Sequence, residues 1–351
     1  MNINWFAAAV IVLTIAPAPL YAQTTPMLKT NRPDVKAFPV PPPNFDALRA
    51  TERELSTFGL PARPTNPEDL PMWEMIAGSG PHRIIPNFGT SKVKHTPAQL
   101  LRQNALANSS LTNQVIQSSN WSGIAIINTQ EQNPLPFTNL YGSWIIPSGQ
   151  IPPNDGCPAN APGNGYYSAD WIGIDGAVNG NLVQTGTDTL VLCEGTTGVL
   201  ATIPWWEWIP NAETPITNFA VNPGDGMFAV VSMVKPTLAN IYLEDLTTGA
   251  NVSFQVTAPA GAHVDGQSVE WIHEVPTIDG QAALLPAFGV SMFSIMWSNI
   301  PNLIRPLLPG SALTLQIDLV QNGGVVSTAW FAGNASAWIV GKNGEHLLFG
   351  N

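Results

Sequence analysis

From Ser118 to the carboxyl end, apolar and polar positions follow a period of two. Trp121 to Ile127 is an apolar run after a polar start, and Met227 to Val234 reads the same way. Asn240 to Leu246 leads through Thr247-Thr248-Gly249-Ala250 into Val252 to Thr257, which alternates strictly. Leu313 to Leu319 alternates too. It is followed by Asn322-Gly323-Gly324, a hairpin signal because both turn residues need positive φ, and then by Val325 to Trp330. Some ten or more strands with turn chemistry between them predict an all-β fold of two packed antiparallel sheets.

The chain before Ser110 is patterned differently. Pro39, Pro41, Pro42 and Pro43 make a stiff extended run. Phe45 to Thr57 carries Phe45, Leu48, Glu52 and Leu55 at helical spacing and is stopped by Gly59 and Pro61. Irregular Pro-rich chain is expected through Pro71. Thr96-Pro97-Ala98-Gln99 has the composition of a helix start, with that helix carrying Leu100, Leu101 and Leu106 to about Ala107. Phe58-Gly59-Leu60-Pro61 carries no assignable signal.

Charge divides the chain at the same place. The 351 residues carry a formal charge of −11, but residues 1–110 net +3 and residues 111–351 net −14, with three cations in the whole second part. A body so poor in Lys and Arg does not wrap a phosphate backbone, which excludes nucleic acid as an expected partner. It also has few cations to repel one another as pH falls, so it suits acid. Trp5 to Leu20 is apolar and uncharged and precedes Tyr21-Ala22-Gln23, an export signal cut after Ala22. The expected organisation is a signal peptide at 1–22, a propeptide at 23–110 with its boundary between 105 and 118 (a disordered secreted linker being the alternative), and a β-sandwich domain at 111–351. The expected location is extracellular or periplasmic, with no membrane association after signal removal. Cys157 and Cys193, if paired in that compartment, close a loop worth ~3–4 kcal/mol in the chain-entropy model; two buried thiols are the alternative.

There is no Gly-x-Ser-x-Gly elbow, no His-Glu-x-x-His helix and no Asp-Thr/Ser-Gly pair, and three of five histidines, His263, His273 and His346, fall in the body. Neither a metal nor another cofactor is expected. Carboxylates, tryptophans and one glutamine remain. In strand geometry Gln184 shares a face with Leu182 and Gly186, the latter leaving space beside it. Glu270 faces with Ser268 and Ile272, apolar and small neighbours that raise a carboxyl pKa. Trp205 and Glu207 form a third one-sided set. On pattern alone each of these is equally an ordinary strand or core residue.

These residues also carry a resemblance. Asn120-Trp-Ser-Gly123, Trp171-x-Gly-x-Asp175-Gly176, Gln184-Thr-Gly-x-Asp188, Trp205-x-Glu207-Trp208 with Pro210, Leu246-Thr-Thr-Gly249, Glu270-Trp-Ile-x-Glu274 and Phe288-Gly289 run colinearly over about residues 118–290. The ordered set resembles the glutamic peptidases, or eqolisins, acid endopeptidases insensitive to pepstatin. The resemblance implies a lectin-like sandwich of two bent sheets with a concave groove. It implies polypeptide substrates, a basic propeptide that inhibits and is removed in acid, and a monomer. It places catalysis on Gln184 and Glu270, with Asp175, Glu207 and Glu274 as supporting groups and Trp171 and Trp205 lining the cleft.

Departures are the apolar stretch Met292 to Pro309, and His273 beside Glu274, which is expected to pack or meet solvent on the opposite face. Asn108, Asn120, Asn251 and Asn334 begin glycosylation sequons. Two other functions fit the composition: a glycan-binding module or glycoside hydrolase using Glu270 with Glu207, and a family member that binds peptides without cutting them.

Overall fold

The computed structural model describes residues 26–65, 67–78, 82–101, 113–128, 136–153, 155–299, 312–333 and 335–342. The export signal, Ala107, Asn108 and Asn334, and residues 300–309 of the apolar stretch lie outside them. Among the described residues no helix is long and apolar enough to cross a membrane.

The part of the chain before Ser110, the leader, holds short strands β1 (Leu28–Lys29), β2 (Val35–Ala37), β3 (His82–Arg83) and β4 (Val93–Lys94) and helices α1 (Glu52–Thr57) and α2 (Leu70–Ala77). The helical spacing from Phe45 is realised only from Glu52, where Thr51 caps the helix reciprocally with Glu54. Helix α2 stands where irregular chain was expected. Pro71 sits in its first turn, where a missing N–H costs nothing, and Trp73 and Ile76 give it a buried side. The expected helix from Thr96 is absent over 96–101, which runs extended; there Asn120 accepts from the Gln99 amide and the Leu101 amide bonds Gln117 O, so the body supplies the partners a helix would have used.

The body is built from β5 (Asn113–Ser118), β6 (Trp121–Asn128), β7 (Asn139–Ile145), β8 (Gly165–Ile174), β9 (Val183–Glu194), β10 (Thr197–Trp208), β11 (Thr214–Pro215), β12 (Gly226–Lys235), β13 (Leu238–Asp245), β14 (Ala250–Thr257), β15 (Ser268–Glu274), β16 (Thr277–Ile278), β17 (Gln281–Ala282), β18 (Val290–Ser298), β19 (Ala312–Gln321), β20 (Gly324–Gly333) and β21 (Ser336–Gly341). One sheet runs β11–β10–β9–β8–β15–β6–β19 and the other β21–β18–β7–β12–β13–β14–β2–β1, with β20 joining β19 to β21 along one side. Asn322 and Gly323 both have positive φ, as the hairpin signal required. Cys157 and Cys193 form a disulfide with Cα atoms 5.7 Å apart.

Alternation decides what lies between the sheets. Ile124, Ile126, Ile172, Ile174, Val183, Trp206, Trp208 and Trp271 of the first sheet meet Leu140, Trp144, Met227, Val231, Leu243 and Phe254 of the second in one core. Trp271 donates to Tyr141 O at 2.9 Å, and a Cβ at Gly142 would come within 2.9 Å of its indole, so the glycine lets β15 seat against the second sheet. The neighbouring residue, Glu270, therefore points to the opposite, concave face.

Candidate active site

Register across the first sheet lines up residues far apart in sequence. Glu207, Gln184, Gly173, Glu270 and Ala125 form one row across β10, β9, β8, β15 and β6. The adjacent row on the same face is Trp205, Gly186, Trp171, Ile272 and Gly123; the next is Ile203, Asp188, Ala169, Glu274 and Trp121. Gln184 and Glu270 thus flank a single glycine, with Cα atoms two strand spacings, about 10 Å, apart.

Small residues make this face possible, though not by leaving it open. A Cβ at Gly186 would lie 2.5 Å from Trp171 Cβ, and one at Gly173 would lie 2.8 Å from Leu182 Cδ1 and 2.9 Å from Trp171 Cζ3. The space expected beside Gln184 is filled by Trp171. Gly123, at φ +155°, faces the Trp271 carbonyl, which a Cβ would approach to 2.2 Å.

The predicted residues fall into three groups. Gln184 Nε2 donates to Glu207 Oε2 at 2.8 Å. Trp171 Nε1 donates to Glu274 Oε2 at 2.9 Å. Asp175 directly follows β8: its carboxylate accepts from the amides of Asp265, Gly266 and Gln267 and fixes the three residues that lead into β15 at Ser268. Gln184 Oε1 and both Glu270 oxygens are buried without a hydrogen-bond partner among the described residues. His273 is likewise buried on the other face; it packs rather than meeting solvent, with Nδ1 3.0 Å from Asp170 Oδ1 and its ring against Phe288.

The groove is occupied by the chain's own leader. His95 is 1% exposed, stacked 3.9 Å from Trp205. Its Nδ1 lies 3.2 Å from Glu274 Oε2, its Nε2 3.1 Å from Glu213 Oε2 and 3.7 Å from Asp188 Oδ1, and its backbone N–H donates to Glu207 Oε2 at 3.1 Å. The Thr96 amide donates to Glu274 Oε1, the Ala98 amide to Gly176 O, and Trp121 Nε1 to Thr96 O. Residues 92–101 form a strap whose contacts lie on both sides of the Gln184–Glu270 row. Asn120, a sequon residue, is 5% exposed and bonds the strap at Thr96 and Gln99, while Asn251 is 3% exposed under Arg83, so neither presents its side chain to solvent.

Residues 119–336 match the model of the peptidase A4 family. The chain belongs to that family. Among its relatives, aspergillopepsin-2 of Aspergillus niger is 23% identical over 231 residues, covering 62% of this chain and 76% of that protein. Scytalidopepsin B of Scytalidium lignicola is 25% identical over 157 residues, covering 44% of this chain and 51% of that protein. The crystal structure of scytalido-glutamic peptidase with a transition-state analogue inhibitor shares the fold, at a TM-score of 0.51 and 19% identity, covering 64% of this chain and 98% of that one. The family is that of the glutamic peptidases, or eqolisins, and the chain is a peptide hydrolase of this class.

Electrostatics in this peptidase follow from burial. Burial pushes Glu270 well above the usual carboxylate range. Burial also raises Glu207, against the pull of His95, and raises Asp188, helped by neighbouring Glu213. Burial alone would lower the His95 imidazolium, but its hydrogen bonds to Glu213 and Glu274 outweigh that and hold its pKa well above normal. His95, Asp188 and Glu213 were missed from the sequence. Asp188 sits four residues after Gln184, on the same face by alternation, and was legible. His95 had only the basic run Lys92-Val93-Lys94 before it, and Glu213 lies in a loop with no pattern.

Proposed function

We propose that the chain is the precursor of a secreted acid endopeptidase in which Gln184 and Glu270 act as a dyad. The observation that carries this is the shared register with Gly173, with the free polar atoms of both side chains on one concave face. With the strap gone and water in the groove, the burial that raises Glu270 in the precursor is relieved; the ionised carboxylate takes a proton from a water that attacks the scissile carbonyl, then gives it to the leaving amine. One Gln184 N–H is held by Glu207, which fixes the amide plane; the other donates to the developing oxyanion, a contact worth ~3–4 kcal/mol. A neutral amide suits this place because a second anion would oppose ionisation of Glu270.

Residues 23–110 act as the propeptide, with the strap as inhibitor: where His95 lies, substrate cannot. The buried His95 imidazolium is tolerated in the groove only while the carboxylates bonded to its ring supply counter-charge; acid removes that counter-charge, and the strap leaves. Cutting between 105 and 118 then frees the groove of a monomeric enzyme.

The glycosidase reading loses ground on geometry. Glu207 and Glu270 are separated by β9 and β8, three strand spacings or about 14 Å at Cα, and Glu207 is committed to Gln184 and the His95 amide. Incubating the purified precursor at about pH 3–4 with a denatured protein, with and without pepstatin, decides. Self-shortening followed by pepstatin-resistant proteolysis is expected; cleavage of a β-glucan with no proteolysis would overturn the proposal.

A further inference from the structure

The leader is not of one kind. Its strap, 92–101, shares backbone bonds with the body but hangs its centre on ionisable groups: Lys92 pairs with Asp279 at 3.0 Å, and His95 and Thr96 engage Glu207, Glu213 and Glu274. The part before it is built into the sandwich. Strand β2 extends the second sheet, with Ala37 opposite Phe254 and Val35 opposite Val256, so both side chains enter the face between the sheets. Val35 and Phe88 belong to the same core as Trp206 and Phe254, and the Phe88 ring stands 5.2 Å edge-on to Phe254. The backbone continues the attachment at four separate points: Thr257 N to Asp34 O, Phe38 N to Ser253 O, Ile84 N to Asn251 O and Gly89 N to Pro215 O. Ile76 of α2 packs on Phe228, Val230 and Tyr242 of the outer face. Arg83, 8% exposed, is bonded by Nε to Asn251 Oδ1 and by NH1 to Phe58 O, and Ser253 Oγ donates to Gly59 O. The segment Phe58-Gly59, silent in the sequence, is thus a docking point.

We propose that this part of the leader, the described residues between 26 and 89, is a permanent subunit of the folded enzyme: when the chain is cut after the strap, the strap lifts off and the rest stays as a noncovalently held second chain. Without it, the edge of β14 and the Val256, Phe254 and Trp206 surfaces would face water, an exposed edge and apolar patch of the kind that drives aggregation. Its attachment uses mainly apolar burial, backbone hydrogen bonds and the neutral side chains of Asn251 and Ser253, which acid does not protonate. The carboxyl facing it is Glu244, held by the Tyr242 hydroxyl behind Arg83, and the Arg83 bonds to Asn251 and Phe58 do not depend on the charge of Glu244. The proposal rests on reading 23–110 as a precursor segment, so its test avoids the enzyme's own cutting.

A recognition sequence for a site-specific protease is inserted between residues 103 and 111 of the full Glu270→Gln chain, which is nicked at pH 7 and run on gel filtration at pH 7 and pH 3.5. The two fragments co-elute at both values if the proposal holds. Elution of the leader apart from a body that keeps its circular dichroism and melting transition would overturn it. Hydrogen exchange on the same nicked sample supplies a second reading. At pH 3.5 the strap amides Thr96, Ala98 and Leu101 lose protection by about tenfold or more, while Phe38, Ile84 and Thr257 keep theirs. Equal loss in both sets would also overturn it, and would leave the peptidase proposal standing.

Discussion

Gln184 and Glu270, 86 positions apart in the chain, stand opposite the same residue, Gly173, from the two strands that flank β8. Strand pairing rather than any loop sets their separation, so the site inherits the stiffness of the sheet. Gly173→Ala would press a methyl against Leu182 and Trp171 in the middle of this row. The expected result is a loss of about 1–3 kcal/mol by denaturant unfolding, with a larger proportional loss of turnover as Gln184 is displaced. An unchanged midpoint would show that the row tolerates spreading.

Stability should fall as pH rises. Glu270, Glu207 and Asp188 have folded pKa values above their unfolded ones, so the stability they allow is full below the ordinary carboxylate range and is lost progressively above it. His95, also raised, contributes stability that is complete below about 6.5 and lost as pH climbs through its folded value. Both signs agree. The melting temperature of the precursor is expected to be higher at pH 5 than at pH 9, and Asp188→Asn should flatten the slope; a midpoint that rises with pH would contradict the assignment.

Much of this was legible in the sequence, and the misses share a cause. Period two gave Gln184, Glu207 and Glu270 their neighbours within each strand, and alternation holds because each strand has the core on one side only; that the three strands turn these sides to one face comes from their pairing. The Gly186 space was misread because alternation tells which face a residue takes, not which neighbour leans over it; Trp171, one strand away, does. The helix expected from Thr96 had sound capping chemistry, but Asn120 and Gln117 offered the same backbone groups better partners. His95 became a cleft residue only through contacts 93–179 positions distant, which no local window contains.

On the proposed precursor reading, removing the His95 side chain should loosen the strap. His95→Ala takes away the imidazolium but leaves Glu213, Glu274 and Asp188 buried under the strap. Precursor conversion, followed on gels, is expected to begin at least one pH unit higher than in the parent chain, consistent with ~1.4 kcal/mol or more of lost docking energy. Conversion at the parent's pH would show that the rest of the strap suffices.

Glu207 should shape the alkaline side of the pH–rate profile. In the proposed mechanism the acid limb reports Glu270 ionising as base, and the alkaline limb includes ionisation of buried Glu207, which sits against the Gln184 amide. Glu207→Gln keeps a carbonyl acceptor for Gln184 without a charge, so the alkaline limb is expected to move upward while the acid limb stays. A shift of the acid limb alone would assign Glu207, not Glu270, as the base.

The most direct measurement is the kcat/KM for a peptide substrate at pH 4 of three proteins freed of the strap: the parent, Glu270→Gln and Gln184→Ala, the variants being processed in trans by a trace of parent enzyme, since they would not process themselves. With melting transitions confirming that each is folded, Glu270→Gln should fall to background and Gln184→Ala should lose about 10²–10³-fold, mostly in kcat. A folded Glu270→Gln enzyme with parental turnover would contradict the dyad outright.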